Sequence, residues 1–254
     1  MNTYTQHLDR IEISITMACT GLCKHCQNGD QSGAKDHLDP EVVITALKEV
    51  KAHYPIDTLM IFGGEPLLYP EDTCAIQKVA AELNIAKRQI ITNGFFSRNE
   101  DRIRKVASMI ADAGVNELLL SVDAFHQETI PLGPVRLFAQ YLCEFGVPFK
   151  LQPAWLVSKE DNNPYNIKTR EILHSFDALD IPWGDGNVIF PAGNALVYLK
   201  DYFDTNIDES SPYEEDPYDV TSLSFEANGD VLQGNIYQSD IMDIISSYNP
   251  DADA

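Results

Sequence analysis

The stretch "IEISITMACTGLCKHC", residues 11 to 26, runs from an apolar segment of strand length straight into three cysteines, Cys19, Cys23 and Cys26. Its first seven residues read as a β-strand. The thiols therefore fall just beyond a strand's carboxyl end, where folds built on parallel strands place their ligand sites. The chain has five cysteines, three of them within eight positions. Such crowding does not suit a disulfide framework and points to thiolates kept reduced as metal ligands.

Five more apolar runs of strand length follow: "TLMIFG" (58 to 63), "RQIITN" (88 to 93), "NELLLSVD" (116 to 123), "PFKLQPAWLV" (148 to 157) and "NVIFP" (187 to 191). They are nearly continuous hydrophobes, as expected of parallel strands covered on both faces. Amphipathic stretches separate them and carry helix punctuation. Asp39-Pro40 and Asn163-Pro164 read as N-cap and first helical residue, Ser97 with Glu100 as a capping box, and Gly114 as a helix stop. The expected fold class is α/β, a partial (β/α)6 TIM-like barrel, with an open doubly wound sheet as the alternative. The expected divisions are a core at 1–198, an acidic linker at 199–220 and a small extension at 221–254. In that extension Asn228-Gly229 predicts a hairpin turn, and "SDIMDIISSY" a short helix.

Eighteen Lys and Arg stand against 39 Asp and Glu, a net charge of −21. Every Lys and Arg lies at or before Lys200, and residues 201 to 254 carry 14 acids. Such a balance disfavours nucleic acid and suits solubility or a cationic peptide partner. No apolar run reaches the roughly 18 residues of a membrane span, and the N-terminus lacks a signal-peptide pattern, so a cytoplasmic protein without membrane contact is expected.

Polar groups converge on the rim that the cysteines occupy. "GGEP" (63 to 66) follows the second strand, "TNG" (92 to 94) the third, and Ser121 and Asp123 close the fourth. A [4Fe-4S] cluster with three thiolates in place of the usual four keeps one iron open to a chelating amino and carboxylate pair. Structural zinc is the competing reading, but its sites close with four protein ligands. For His25 and His126 the bland alternative is a plain surface histidine, and Cys74 and Cys143 read as inert thiols in helices.

The spacing C-x3-C-x2-C in "CTGLCKHC", with His25 before the last cysteine, together with "GGEP", "TNG" and "LSVD", resembles the radical SAM superfamily. The resemblance implies that Cys19, Cys23 and Cys26 hold a [4Fe-4S] cluster. Gly63, Gly64 and Glu65 would meet the methionyl amino group of S-adenosylmethionine (AdoMet), Asn93, Ser121 and Asp123 its carboxylate or ribose, and backbone near His25 its adenine. It implies reductive cleavage of AdoMet to a 5′-deoxyadenosyl radical, hydrogen abstraction from a substrate, and a flavodoxin or ferredoxin-type electron donor approaching a face bearing Lys24 or Lys35. The residue acting on the substrate itself stays unassigned. "LVSKEDN" (156 to 162), "PAGNA" (191 to 195) and "FEANGDVLQGNIYQ" (225 to 238) resemble SPASM or twitch enzymes that modify ribosomal peptides. Gln233 stands where those carry a ligand cysteine and Asn194 where they tend to carry arginine, so the extension is expected to hold no cluster. A peptide substrate is the leading expectation, small-molecule biosynthesis the alternative, and a non-catalytic zinc or peptide-binding protein the third.

Overall fold

The computed structural model describes residues 2–31, 33–203 and 214–252, so residues 204–213 of the expected linker lie outside the described part. The chain runs β1 (Arg10–Thr16), α1 (Pro40–His53), β2 (Thr58–Gly63), α2 (Pro70–Glu82), β3 (Lys87–Thr92), α3 (Glu100–Asp112), β4 (Glu117–Ser121), α4 (Ala124–Gln127), α5 (Leu132–Glu144), β5 (Phe149–Gln152), β6 (Ala154–Trp155), α6 (Pro164–His174), β7 (Asn187–Val188) and α7 (Asn194–Tyr198). Beyond these come β8 (Ser222–Phe225), β9 (Asp230–Val231), β10 (Gly234–Asn235) and α8 (Ile241–Ser247). Strands β5, β4, β3, β2, β1 and β8 make, in that order, one six-stranded sheet. Every neighbouring pair in it is parallel, as strand–helix–strand crossovers require.

Capping explains several boundaries. Asp39 accepts from Glu41 N and Asn163 from Asn166 N, as their Asx-Pro pairs predict. The expected capping box at Ser97 shifts by two residues: Asn99 caps α3, accepting from Arg102 N, while Ser97 Oγ accepts from Asn99 N at 3.0 Å. The expected strand over 148–157 divides at Pro153, whose missing N–H interrupts the ladder. Its second part, β6, pairs in parallel with β7, which keeps only the first two residues of the expected run 187–191.

The sheet has two chemically different faces. On β1, Ile11, Ile13 and Ile15 are fully buried among α1 and α8 residues such as Val43, Leu47, Ile241 and Ile244. The alternate positions face the barrel interior, where Arg10, Met60, Gln89, Ser121 and Gln152 line a cavity. The continuous apolar runs thus conceal a polar inner face.

The C-terminal segment joins this core. β8 adds to the edge of β1 in parallel register, Arg10 opposite Ser222 through Ile13 opposite Phe225. The expected hairpin forms further on and is smaller: β9 and β10 pair antiparallel, whereas Asn228-Gly229 makes the turn before β9, Gly229 N donating to Glu226 O at 2.8 Å. Among the described residues no helix is long and apolar enough to cross a membrane. Leu223 is fully buried in the cluster shared with β1 and β2. We therefore expect Leu223→Ala to cost about 2–5 kcal/mol in urea unfolding. A segment standing apart from the core would give a change within about 0.5 kcal/mol.

Candidate active site

β1 ends in an irregularity between Ser14 and Thr16, where Thr16 pairs with Gly63. Such a bulge turns the chain off the sheet, here into the cysteine loop. Thr16 Oγ1 accepts from Ala18 N at 3.0 Å and donates to Asp36 O at 2.6 Å. The loop after β2 is laid directly on this segment: Gly64 N donates to Thr16 O at 2.7 Å and Glu65 N to Ala18 O at 2.8 Å. Only glycine allows that approach. A Cβ on Gly64 would lie 2.2 Å from Ala18 O, and Gly63 has φ +121° with its Cβ position 2.4 Å from Thr16 O.

Glu65 is fully buried and fastens the loop after β2 to the loop after β3. Its Oε1 accepts from Leu67 N at 2.9 Å and Thr92 Oγ1 at 2.6 Å, and its Oε2 from Asn93 N at 2.9 Å. Burial raises its pKa to about 7, although these three donors favour the charged form. The carboxylate is thus spent inside the protein.

Cys19, Cys23 and Cys26 line a cavity of about 440 Å³ together with His25, Gly63, Gly64, Asn93, Ser121 and His126. Cys19 Sγ accepts from Gly21 N at 3.4 Å and Asn93 Nδ2 at 3.6 Å. Asn93 is held in that orientation because its Oδ1 accepts from Phe95 N at 2.8 Å. The Thr129 hydroxyl hydrogen-bonds to Cys23. Burial, then the neighbouring Glu65 and Cys26, pushes the Cys19 thiol up to about 11. Burial, with Asp123 and the other two cysteines behind it, pushes Cys23 higher still, and burial raises Cys26 as well.

Three crowded thiols of this kind suit a strongly cationic centre that deprotonates its ligands. Among the described residues, the group of candidate metal-binding side chains whose ligand atoms lie within 4.8 Å of one another is His25, Asp123 and His126, and the cysteines do not form such a group. One tetrahedral zinc would hold its sulfurs about 3.8 Å apart. The spread of the three thiols therefore suits a multi-iron cluster better than a single zinc ion.

The loop after β4 differs from its sequence reading. Asp123 is fully buried: Oδ1 accepts from Phe125 N and His126 N, each at 2.9 Å, and Oδ2 from His126 Nδ1 at 2.7 Å and Ala154 N at 3.0 Å. Burial alone would raise its pKa, but His126 and then His25 outweigh that and hold it down to about 2. It sits behind His126 and does not line the cavity. His25 and His126 are wall residues of the cavity, which sets aside the alternative of plain surface histidines. The His25 ring packs on His126 (centroids 4.7 Å apart) and Phe125 (5.2 Å), and burial followed by the His126 charge lowers its pKa to about 4. The signal in the sequence was the Asp-x-x-His spacing after a strand, which lets the N-cap carboxylate also hold the imidazole.

Asn194 was legible only as a departure from related sequences. Its backbone N donates to Cys26 O at 2.9 Å and its Nδ2 to Cys23 O at 3.0 Å, fastening α7 to the cysteine loop. Gly193 precedes it at φ +50°, with its Cβ position 2.3 Å from Gln27 O. Lys24 forms an ion pair with Glu128 at 3.0 Å. Cys74 is buried, its thiol pushed up to about 12 by burial first, while Cys143 is exposed on α5. Neither lines the cavity.

Fold and site together point to the iron–sulfur class of enzymes: an incomplete parallel barrel carries three cysteine thiols at the carboxyl rim of its strands. Residues 13–142 match the family model of the radical SAM superfamily. The chain belongs to that superfamily, whose cofactors are a [4Fe-4S] cluster and AdoMet. It is 27% identical over 126 residues to "GTP 3′,8-cyclase" of Microcystis aeruginosa, covering 48% of this chain and 36% of the cyclase. It is 28% identical over 126 residues to "Probable GTP 3′,8-cyclase" of Methanocaldococcus jannaschii, covering 49% and 40%. The chain thus spans well under half the length of these relatives. In fold it is similar to "Native anSMEcpe with bound AdoMet", with TM-score 0.63 and 14% identity, over 97% of this chain and 82% of that one.

The Glu65 contribution has a definite sign. Its folded pKa lies above the usual 4.5, so its proton stabilises the fold fully below about pH 4.5, and that stability is lost as pH rises through about 7. We expect Glu65→Gln to remove this component, on the order of 3 kcal/mol. Melting temperature followed from pH 5 to 8.5 should show a steeper alkaline decline in the wild type than in the variant. Parallel curves would contradict it.

Proposed function

We propose that this radical SAM enzyme abstracts hydrogen from a ribosomally made peptide, producing a crosslink, an epimer or an oxidised residue. The observation that carries this reading is the charge of the cavity wall. Arg10 is the one Lys or Arg among the described residues that line it, and Glu12 pairs with it at 2.6 Å. A nucleoside triphosphate, as in the relatives' names, brings several negative charges that such a wall leaves uncompensated. A neutral polar chain suits it. The 14 acids beyond residue 200 favour attraction of a basic peptide. A solved structure of similar fold is "Native anSMEcpe with bound AdoMet and Kp18Cys peptide"; its TM-score is 0.60, with 14% identity over 97% of this chain and 82% of that one.

Bound at this rim, the cluster would supply one electron to AdoMet and so the 5′-deoxyadenosyl radical. The chain's own residues then have two tasks: Gly63 and Gly64 keep the wall shallow beside the thiols, and Asn93 and Thr129 donate to the cysteine sulfurs. For an external donor of flavodoxin or ferredoxin type, the Lys24–Glu128 pair leaves less positive charge on that face than the sequence suggests. In the domain reading that goes with this proposal, residues 1–198 form the catalytic core, 199–220 an acidic linker and 221–254 a cluster-free extension fastened to the core by β8.

The relatives' names favour a second reading, a small-molecule substrate. Anaerobic assay of the reconstituted enzyme with dithionite separates the two. Short peptides encoded next to this gene should raise 5′-deoxyadenosine above the substrate-free rate and change mass, and Cys23→Ala should bring both to background. Turnover with GTP and none with any neighbouring peptide would overturn the peptide reading.

A further inference from the structure

The strand beside the mouth of the cavity has a hydrogen-bonding edge that carries no strand. Among the described residues β7 pairs with β6 and with no other strand. Asn187 N donates to Pro153 O at 3.0 Å and Ile189 N to Trp155 O at 2.9 Å, so both of these residues turn their main chain toward β6. Main-chain groups alternate sides along a strand, and Val188 between them therefore turns its N–H and C=O away from β6. No protein group among the described residues bonds to either of them. Val188 is 49% exposed, so the edge is open to an incoming chain.

This edge belongs to the site. Asn187, Val188, Ile189 and Phe190 line the same cavity as the three cysteines. Ile189 also shares a buried cluster with Ala195 and Leu199, which sets α7 against the end of β7, and Asn194 fastens that helix to the cysteine loop. On its outer side α7 leaves Leu196, Val197 and Tyr198 more than half exposed. An apolar surface thus continues from the free edge. Residues 171–199, which carry both elements, include four acids and no Lys or Arg, and the whole chain has a net charge of −21. Charge complementarity therefore selects a basic partner.

We infer that β7 is the docking edge for the substrate peptide: a basic segment lies extended along it, one of its carbonyls accepting from Val188 N–H and one of its amides donating to Val188 C=O. Addition of a strand to a free edge takes its affinity from the main chain. Alternate side chains of the added strand then turn toward the cavity and toward solvent. This deepens the peptide reading by naming the surface and the conformation in which the peptide is held, and rests on it for the identity of the partner. A nucleotide has no row of amide groups to offer such an edge.

The test uses the anaerobically reconstituted holoenzyme with AdoMet and one probe, the pentapeptide acetyl-Lys-Val-Lys-Val-Lys-amide, since the edge reads main chain and charge. Amide hydrogen exchange, resolved to single residues by mass spectrometry, should show the Val188 amide exchanging freely without peptide and slowing about tenfold at saturation, the worth of one hydrogen bond. Asn187 and Ile189, already bonded to β6, should change less. The same peptide N-methylated at every residue should bind about tenfold more weakly. Val188→Pro removes the outward N–H and no bond to β6, a change that an edge strand tolerates; it should weaken binding about tenfold at the wild-type melting temperature, and unchanged affinity overturns the role of that N–H. No slowing at Val188 with about 10 mM peptide, or equal binding of the methylated peptide, overturns the docking edge on the wild type alone. A Val188 amide that is protected without peptide and freed on dilution assigns the edge to a second copy of the chain and overturns it too. Turnover of a neighbouring peptide without protection of Val188 removes the edge and keeps the peptide reading. Protection by the probe with no peptide turned over removes the peptide reading and leaves the edge standing.

Discussion

Everything at the rim depends on two backbones lying closer together than side chains permit. The segment after β1 and the loop after β2 touch through Gly64 N on Thr16 O and Glu65 N on Ala18 O, and two glycines make that contact possible. Cys19 follows one residue after Ala18, so the position of the first thiol is set by this contact. Glu65 extends the constraint to the third strand by holding Asn93, and Asn93 in turn donates to Cys19. The GGEP segment is therefore first a building constraint: its glycines give the close approach and its glutamate the fastening. The glycines themselves line the cavity.

The barrel's outer and inner faces divide the labour between stability and chemistry. Outward isoleucines and leucines bury the helices and supply the hydrophobic free energy. Inward positions carry Arg10, Gln89, Ser121 and Gln152 around a cavity, so each polar group there needs a partner from the protein or the substrate. The pairing of Arg10 with Glu12 leaves a cavity wall that is polar with little net charge. A wall of that kind discriminates by hydrogen-bond pattern more than by charge, and the proposal of a peptide substrate rests on that.

The fold class and the cysteines were legible because each leaves a local signature: strand-length apolar runs, Asx-Pro helix starts, and three thiols at fixed spacing beyond a strand. What escaped depends on pairings distant in sequence. No local pattern tells that Ser222–Phe225 adds to β1 across two hundred residues, or that Asn194 clasps carbonyls in the loop of Cys23 and Cys26. The inner-face polarity was hidden because the hydrophobic content of "TLMIFG" and "RQIITN" dominates single polar positions. Asp123 was assigned toward the ligand on its place after a strand, but an N-cap carboxylate that also holds His126 has no lone pair to spare for a ribose. His126 is the side chain of that turn that reaches the wall.

The central claim is that three cysteines leave one iron of a [4Fe-4S] cluster for AdoMet. Its most direct test is the electron paramagnetic resonance spectrum of the reduced, anaerobically reconstituted chain before and after AdoMet is added. A cluster signal whose shape changes with AdoMet is the expected result. A zinc-loaded protein without such a signal, or a cluster spectrum untouched by AdoMet, would contradict it.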